Sequence, residues 1–149
     1  MASVTHIFVA LTRGAPMEPR QIVAALTDVG LDGDRYADPV NRRGPDYQVT
    51  LIESENIAAF SEMVDVPFTP DMPRRNIVTR GVRLNELCGR RFKVGGATLE
   101  GLELCEPCSL FAKRTHRDVL KFFPRKGGLR ARIVVGGNIH IGDLVVVDA

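Results

Sequence analysis

Near the start of the chain, Val4, His6, Phe8 and Ala10 alternate with Thr5, Ile7, Val9 and Leu11. Such a β-branched, mostly apolar run predicts a buried strand, ended by Gly14-Ala15-Pro16. Residues 20–29 fit two patterns, since Ile22, Val23, Leu26 and Val29 suit either a helix face or a strand. Gly30-Leu31-Asp32-Gly33-Asp34 predicts a turn, then a polar loop through Pro45 carrying Arg35, Tyr36, Arg42 and Arg43. A short strand is expected over 48–52. Ser54 is placed to cap a helix with Ile57, Phe60 and Met63 on one face, closed by Pro67, Pro70 and Pro73.

The second half reads as short strands over 76–79, 92–94, 98–102, 129–135, 139–141 and 144–147, punctuated by glycines. The last two are expected to pair through Gly142-Asp143. A helix over 117–123 stops at Pro124, and Phe111, Phe122 and Phe123 would pack it onto the strands. The pattern predicts a mainly β fold with a few helices (α+β), arranged as a barrel or sandwich.

Composition narrows the class. With 149 residues, 44% apolar and 26% charged, the chain suits one soluble globular domain over 1–149. No run approaches the roughly 20 apolar residues of a membrane span, and residues 1–11 lack a basic leader, so a cytoplasmic protein is expected. The net charge of +2 conceals a segregation: residues 1–73 carry −6, residues 74–132 carry +10, and residues 133–149 carry −2. A segment that basic suggests an anionic partner, unless its charges simply pair with the acidic half.

Three cysteines (Cys88, Cys105 and Cys108) cannot build a disulfide scaffold. Cys105-Glu106-Pro107-Cys108 follows an expected strand and precedes an expected helical turn over 109–113. A thiol at a helix start is acidified by unpaired N–H groups, and Lys113 and Arg114 would add to this by folding back. The residues leave four readings open: structural zinc, for which a second ligand pair is lacking; a thioredoxin-like redox pair; two inert thiols; or one reactive thiol that binds or modifies a cofactor. Cys88 reads as structural, His116 as an exposed residue at a helix entry, His140 as an edge residue, and Asp34 as a turn cap or a brace for Arg35.

Several blocks in order resemble the MOSC family, named after the C-terminal domain of molybdenum cofactor sulfurases. They are Gly30-Leu31-Asp32-Gly33-Asp34-Arg35, Gln48-Val49-Thr50-Leu51-Ile52, Arg74-Arg75-Asn76-Ile77-Val78 and Gly81-Val82-Arg83-Leu84. Leu87-Cys88-Gly89-Arg90-Arg91-Phe92, the cysteine pair, Gly127-Gly128-Leu129-Arg130-Ala131 and Gly137-Asn138-Ile139-His140-Ile141-Gly142-Asp143 follow. Tyr36 departs from the pattern, since small stand-alone bacterial-type members often carry His there.

The resemblance implies a MOSC-like β-barrel that handles the molybdenum cofactor (molybdopterin) or its sulfur. Cys108 corresponds to the family's functional cysteine, a molybdenum ligand in its reductases and a proposed sulfur carrier in its sulfurases. A thiolate suits molybdenum. Arg35, Arg75, Asn76 and Arg130 have the chemistry to hold the pterin phosphate. The leading expectation is thus a cofactor-binding protein and, if catalytic, an oxidoreductase reducing N-hydroxylated substrates with electrons from a separate partner. A sulfur (persulfide) carrier is the alternative. It needs a separate cysteine desulfurase, because the family's association with pyridoxal phosphate binding requires a domain that does not fit in 149 residues. A non-catalytic module for a phosphorylated ligand is the third reading. A small anionic molecule is a more economical partner than nucleic acid.

Overall fold

A computed structural model describes residues 1–64, 67–106, 112 and 114–147. Its strands are β1 (Ser3–Val9), β2 (Glu18–Arg20), β3 (Ile22–Leu26), β4 (Gly30–Leu31), β5 (Val49–Glu53) and β6 (Ile77–Arg80). β7 (Arg91–Val94), β8 (Ala97–Leu104), β9 (Leu129–Val135), β10 (Gly137–His140) and β11 (Val145–Val147) complete them. Helix α1 (Ser54–Met63) links β5 to β6, and α2 (Val119–Phe122) is a single turn before β9.

The larger sheet runs β11-β7-β8-β9-β5-β6-β1-β2, and a smaller one runs β10-β3-β4. Only β5 and β6 pair in parallel among the described strands, which is why a helix must carry the chain between them. β7, β8 and β9 bury alternate residues: Phe92 and Val94, Ala97 and Leu99, Leu129, Ala131 and Ile133. These join Val23, Ala25 and Ile139 of the small sheet in one core. β1, β5 and β6 are covered on both faces. Ile7, Leu51 and Ile77 enter that core, whereas Phe8, Ile52 and Val78 enter a second one beneath the helices, with Ile57, Phe60, Phe68, Val119 and Phe123. Two-sided burial explains why these strands read as continuous apolar runs.

The fold is mainly β with few helices, as expected, but the large sheet is open rather than a closed barrel. β11 and β2 are its edges. β11 returns to β1 only at the Ser3–Leu144 bridge, with Val4 N–H donating to Asp143 O and Val145 N–H to Ala2 O. β2 covers the rest of that edge of β1 along Ile7–Val9, so closure cannot propagate.

Local readings also change. Within residues 20–29 the strand alternative holds: Arg20 ends β2 and Ile22–Leu26 is β3, before a turn over 27–29. β10 and β11 are not a hairpin: β10 pairs with β3, β11 with β7, and the Gly142 turn passes the chain between sheets. The helix cap is Glu53 rather than Ser54, and the Glu53 carboxylate accepts from Leu84 N–H at 3.2 Å instead of closing the helix. Ile57 and Phe60 are buried, while Met63 is 63% exposed. The turn expected over 109–113 falls mostly outside the described residues, as does Phe111.

Candidate functional site

The exits of β1 and β4 and the entries of β5 and β6 converge beside β9, and a cleft of about 280 Å³ opens there. Its frame is a polar lattice around Asp34, which is 5% exposed. Ala10 N–H donates to Asp34 Oδ1 at 3.0 Å, and Arg35 N–H donates back to Ala10 O at 2.8 Å. Asp34 Oδ2 accepts from Tyr36 N–H, capping the 3-10 turn Arg35–Ala37. Burial nevertheless raises the Asp34 pKa above the ordinary carboxylate range, against these bonds and the nearby Arg35 charge.

Asn76 continues the lattice. Its Nδ2 donates to Phe8 O at 3.1 Å and Asp34 Oδ1 at 3.4 Å. Its Oδ1 accepts from Thr50 N–H at 3.0 Å and Thr50 Oγ1 at 3.2 Å. The amide is fully occupied within the protein. Asn76 lines the cleft, yet it acts by positioning β1, β5 and the Asp34 turn.

The remaining expected binding residues, Arg35, Arg75 and Arg130, line the same cleft. Arg35 donates from Nη2 to the Tyr36 hydroxyl at 2.6 Å. Arg75 is anchored by Nε to Gly127 O at 2.9 Å and by Nη1 to Pro73 O at 3.3 Å. Gly127 and Gly128 let β9 enter this closely, because side chains there would overlap the carbonyl oxygens of Cys105 and Leu51. Arg130 donates from Nη1 to Asp46 O at 3.4 Å, stands 5.0 Å from the Tyr47 ring centre and lies 3.8 Å from the Glu103 carboxylate.

Two further arginines join them. Arg74 holds a left-handed backbone, φ 60°, and Arg114 reaches in from the segment before α2. The Arg74 pKa is lowered by burial and then by the charges of Arg114 and Arg35. The acidic half of the chain therefore contributes Arg35, and the basic segment contributes the other four. Tyr36, Tyr47, Met17 and Met72 add apolar surface. Guanidiniums, ring faces and thioethers around one buried carboxyl suit an anionic, partly flat molecule.

Cys108 lies outside the described residues. Cys105 is 1% exposed, and burial pushes its thiol pKa up despite Arg75 and Arg130, so it behaves as a core residue. Cys88 is exposed. His116 packs edge-on against Phe60 and accepts from Asp118 N–H at 3.1 Å. His140 sits at the end of β10, 3.5 Å from Asp143. Among the described residues no group of three or more His, Cys, Asp or Glu is arranged to hold a metal. No described helix is long and apolar enough to cross a membrane.

Sequence reading singled out Arg35, Arg75, Asn76 and Arg130, but not Arg74 or Arg114 as cleft residues, although both lie in the basic segment. Tyr47, Met17 and Met72 carry no local signal; only the tertiary arrangement brings them in.

A family model described as MOSC domain matches residues 38–146. No curated protein sequence matches. Among solved structures, YiiM from Geobacillus stearothermophilus is 21% identical with TM-score 0.79, covering 100% of this chain and 76% of that one. The YuaD protein of Bacillus subtilis is 16% identical with TM-score 0.82, covering 99% and 96%. YiiM from Escherichia coli is 16% identical with TM-score 0.70, covering 100% and 70%. At these identities the likeness is one of fold.

Proposed function

The chain belongs to the MOSC domain family, and from that premise we propose that it binds the molybdenum cofactor in the arginine cleft. The family is associated with that cofactor. The observation that carries the reading is the convergence of Arg35, Arg75 and Arg130, remote in sequence, with Arg74 and Arg114 around one cavity. The donor set fits the phosphorylated pterin: bidentate guanidiniums for the phosphate, ring faces and thioethers for the heterocycle. Asn76 supports this site without being a ligand.

The metal end is assigned to Cys108, the counterpart of the family's functional cysteine. Cys105, sealed and held protonated, is unsuited to that task. When bound, the cofactor supplies two-electron oxygen-atom transfer, which fits reduction of an N-hydroxylated compound with electrons from a separate partner. The protein's own part is to neutralise the phosphate, orient the ring system and hold the thiolate.

The test is chemical analysis of protein made in a cofactor-producing host, with and without Cys108→Ser. The proposal predicts pterin and molybdenum in the wild type and loss of molybdenum from the variant. Unchanged molybdenum in the variant would exclude thiolate ligation. A persulfide on Cys108 in metal-free protein would favour the sulfur carrier instead.

A further inference from the structure

A second concavity of about 280 Å³ adjoins the cleft. Arg35, Tyr36 and Arg114 line both. Its far side is built by Arg13, from the loop after β1, and by Asn41 and Arg43, from the loop after the Arg35 turn. Arg13, Asn41 and Arg43 themselves take no part in the hydrogen-bond lattice around Asp34.

The charges of this chamber are one-sided. Among the described residues, no carboxylate forms an ion pair with Arg13, Arg35, Arg43 or Arg114. Arg35 and Arg43 instead lie over tyrosine rings, at 4.4 Å from Tyr36 and 5.5 Å from Tyr47. The loop acid Asp38 accepts from Val40 N–H at 3.0 Å and from Asn41 Nδ2 at 3.4 Å, so it shapes the loop. Cations gathered around a hollow repel one another, and an oxyanion placed there relieves the repulsion. Arg35, Tyr36 and Arg114 form the boundary between the chambers, so a molecule long enough to pass them would present one anionic group to each.

We infer that the second chamber is an oxyanion subsite, so the ligand carries two anionic groups: one for Arg75 and Arg130, the other for Arg13 and Arg43. This rests on the reading of the cleft as an anion-binding site and adds the class of ligand, a phosphate ester extended by a second phosphate or a carboxylate. Arg35 and Arg114, which line both chambers, stand between the two groups. A pterin with a single phosphate would fill the Arg75 and Arg130 end alone, whereas one extended by a second anionic group would fill both chambers.

The experiment is titration calorimetry at fixed, moderate ionic strength, with inorganic phosphate and inorganic tripolyphosphate as probes. Tripolyphosphate is expected to bind the wild type at least about tenfold more tightly than phosphate. Arg13→Gln/Arg43→Gln should remove that advantage and leave phosphate binding intact. Arg83→Gln/Arg91→Gln, which removes the same charge from residues lining neither chamber, should change neither. The inference is overturned if the Arg13/Arg43 variant keeps the tripolyphosphate advantage, or if the control loses as much. Equal affinity of the wild type for the two probes removes the subsite alone. Failure of the wild type to bind either probe removes the cleft as an anion site, and the subsite with it.

Discussion

Replacing Asp34 separates the frame of the cleft from its binding surface. The carboxylate serves three donors: Ala10 N–H, Tyr36 N–H and Asn76 Nδ2. Asp34→Ala strands the buried Ala10 donor and leaves Asn76 Nδ2 with Phe8 O alone. At roughly 1–3 kcal/mol for each buried donor left unpaired, the expected loss is about 2–4 kcal/mol. The upper end is tempered because the buried carboxylate itself was costly to desolvate. Asp34→Asn keeps one oxygen for Ala10 and Asn76 and loses the Tyr36 acceptor, so about 1 kcal/mol is expected. The pH dependence carries the sharper test. The folded pKa of Asp34 is raised, so its contribution is fully present below the ordinary value of about 3.9. It is lost as pH rises through the folded value. Wild type minus Asp34→Asn stability, from urea unfolding between pH 3.5 and 7, should therefore shrink with rising pH, other carboxyls cancelling in the difference. A difference that grows with pH would show Asp34 to be stabilised as an anion and refute the argument from burial.

Other perturbations have equally definite outcomes. Arg74→Gly relieves a left-handed backbone that disfavours side chains, so unfolding free energy should rise by up to about 1 kcal/mol while affinity for inorganic phosphate falls; a fall in both would contradict it. Phe60→Ala empties a fully buried site among Phe68, Phe122 and Phe123, and urea titration should register a loss of about 3–5 kcal/mol. Gly128→Ala, with φ 111° and the Leu51 carbonyl in the way, should cost about 2 kcal/mol or more and weaken phosphate binding by displacing Arg130. Sodium phosphate should raise the melting temperature beyond sodium chloride of equal ionic strength, since an anion relieves the repulsion around Arg74.

Local pattern revealed much of the fold. Residues 129–135 alternate cleanly on one face, and β9 has those bounds. Residues 20–29 stayed ambiguous because β2 and β3 are short strands whose identity depends on remote partners, β1 and β10. The Gly142 turn resembles a hairpin turn, and only the competing edges of β3 and β7 send its two arms to different sheets. Glu53 stands at the cap position yet does not cap the helix with its side chain, because its carboxylate accepts from Leu84 N–H, a contact no local motif announces.

The site was partly legible for a similar reason. Arg35, Arg75, Asn76 and Arg130 stand in blocks with turn glycines or strand entries, so their placement has a local cause. Arg13 and Arg43 lie on exposed loops without periodicity, and nothing short of the folded arrangement sets them beside Arg35. For Asn76 the residue type suggested a ligand, whereas its geometry makes it a brace. Type alone cannot show whether an amide's four hydrogen bonds are already made.

The central claim, that the arginine cleft holds the molybdenum cofactor, is tested most directly by pterin content. Protein from a cofactor-producing host would be oxidised to the fluorescent pterin derivative and quantified beside Arg75→Gln/Arg130→Gln. The account predicts pterin approaching one per chain in the wild type and a loss of most of it in the variant, with folding retained. Pterin undiminished in the variant, or absent from the wild type while the same host loads another molybdenum protein, would contradict it.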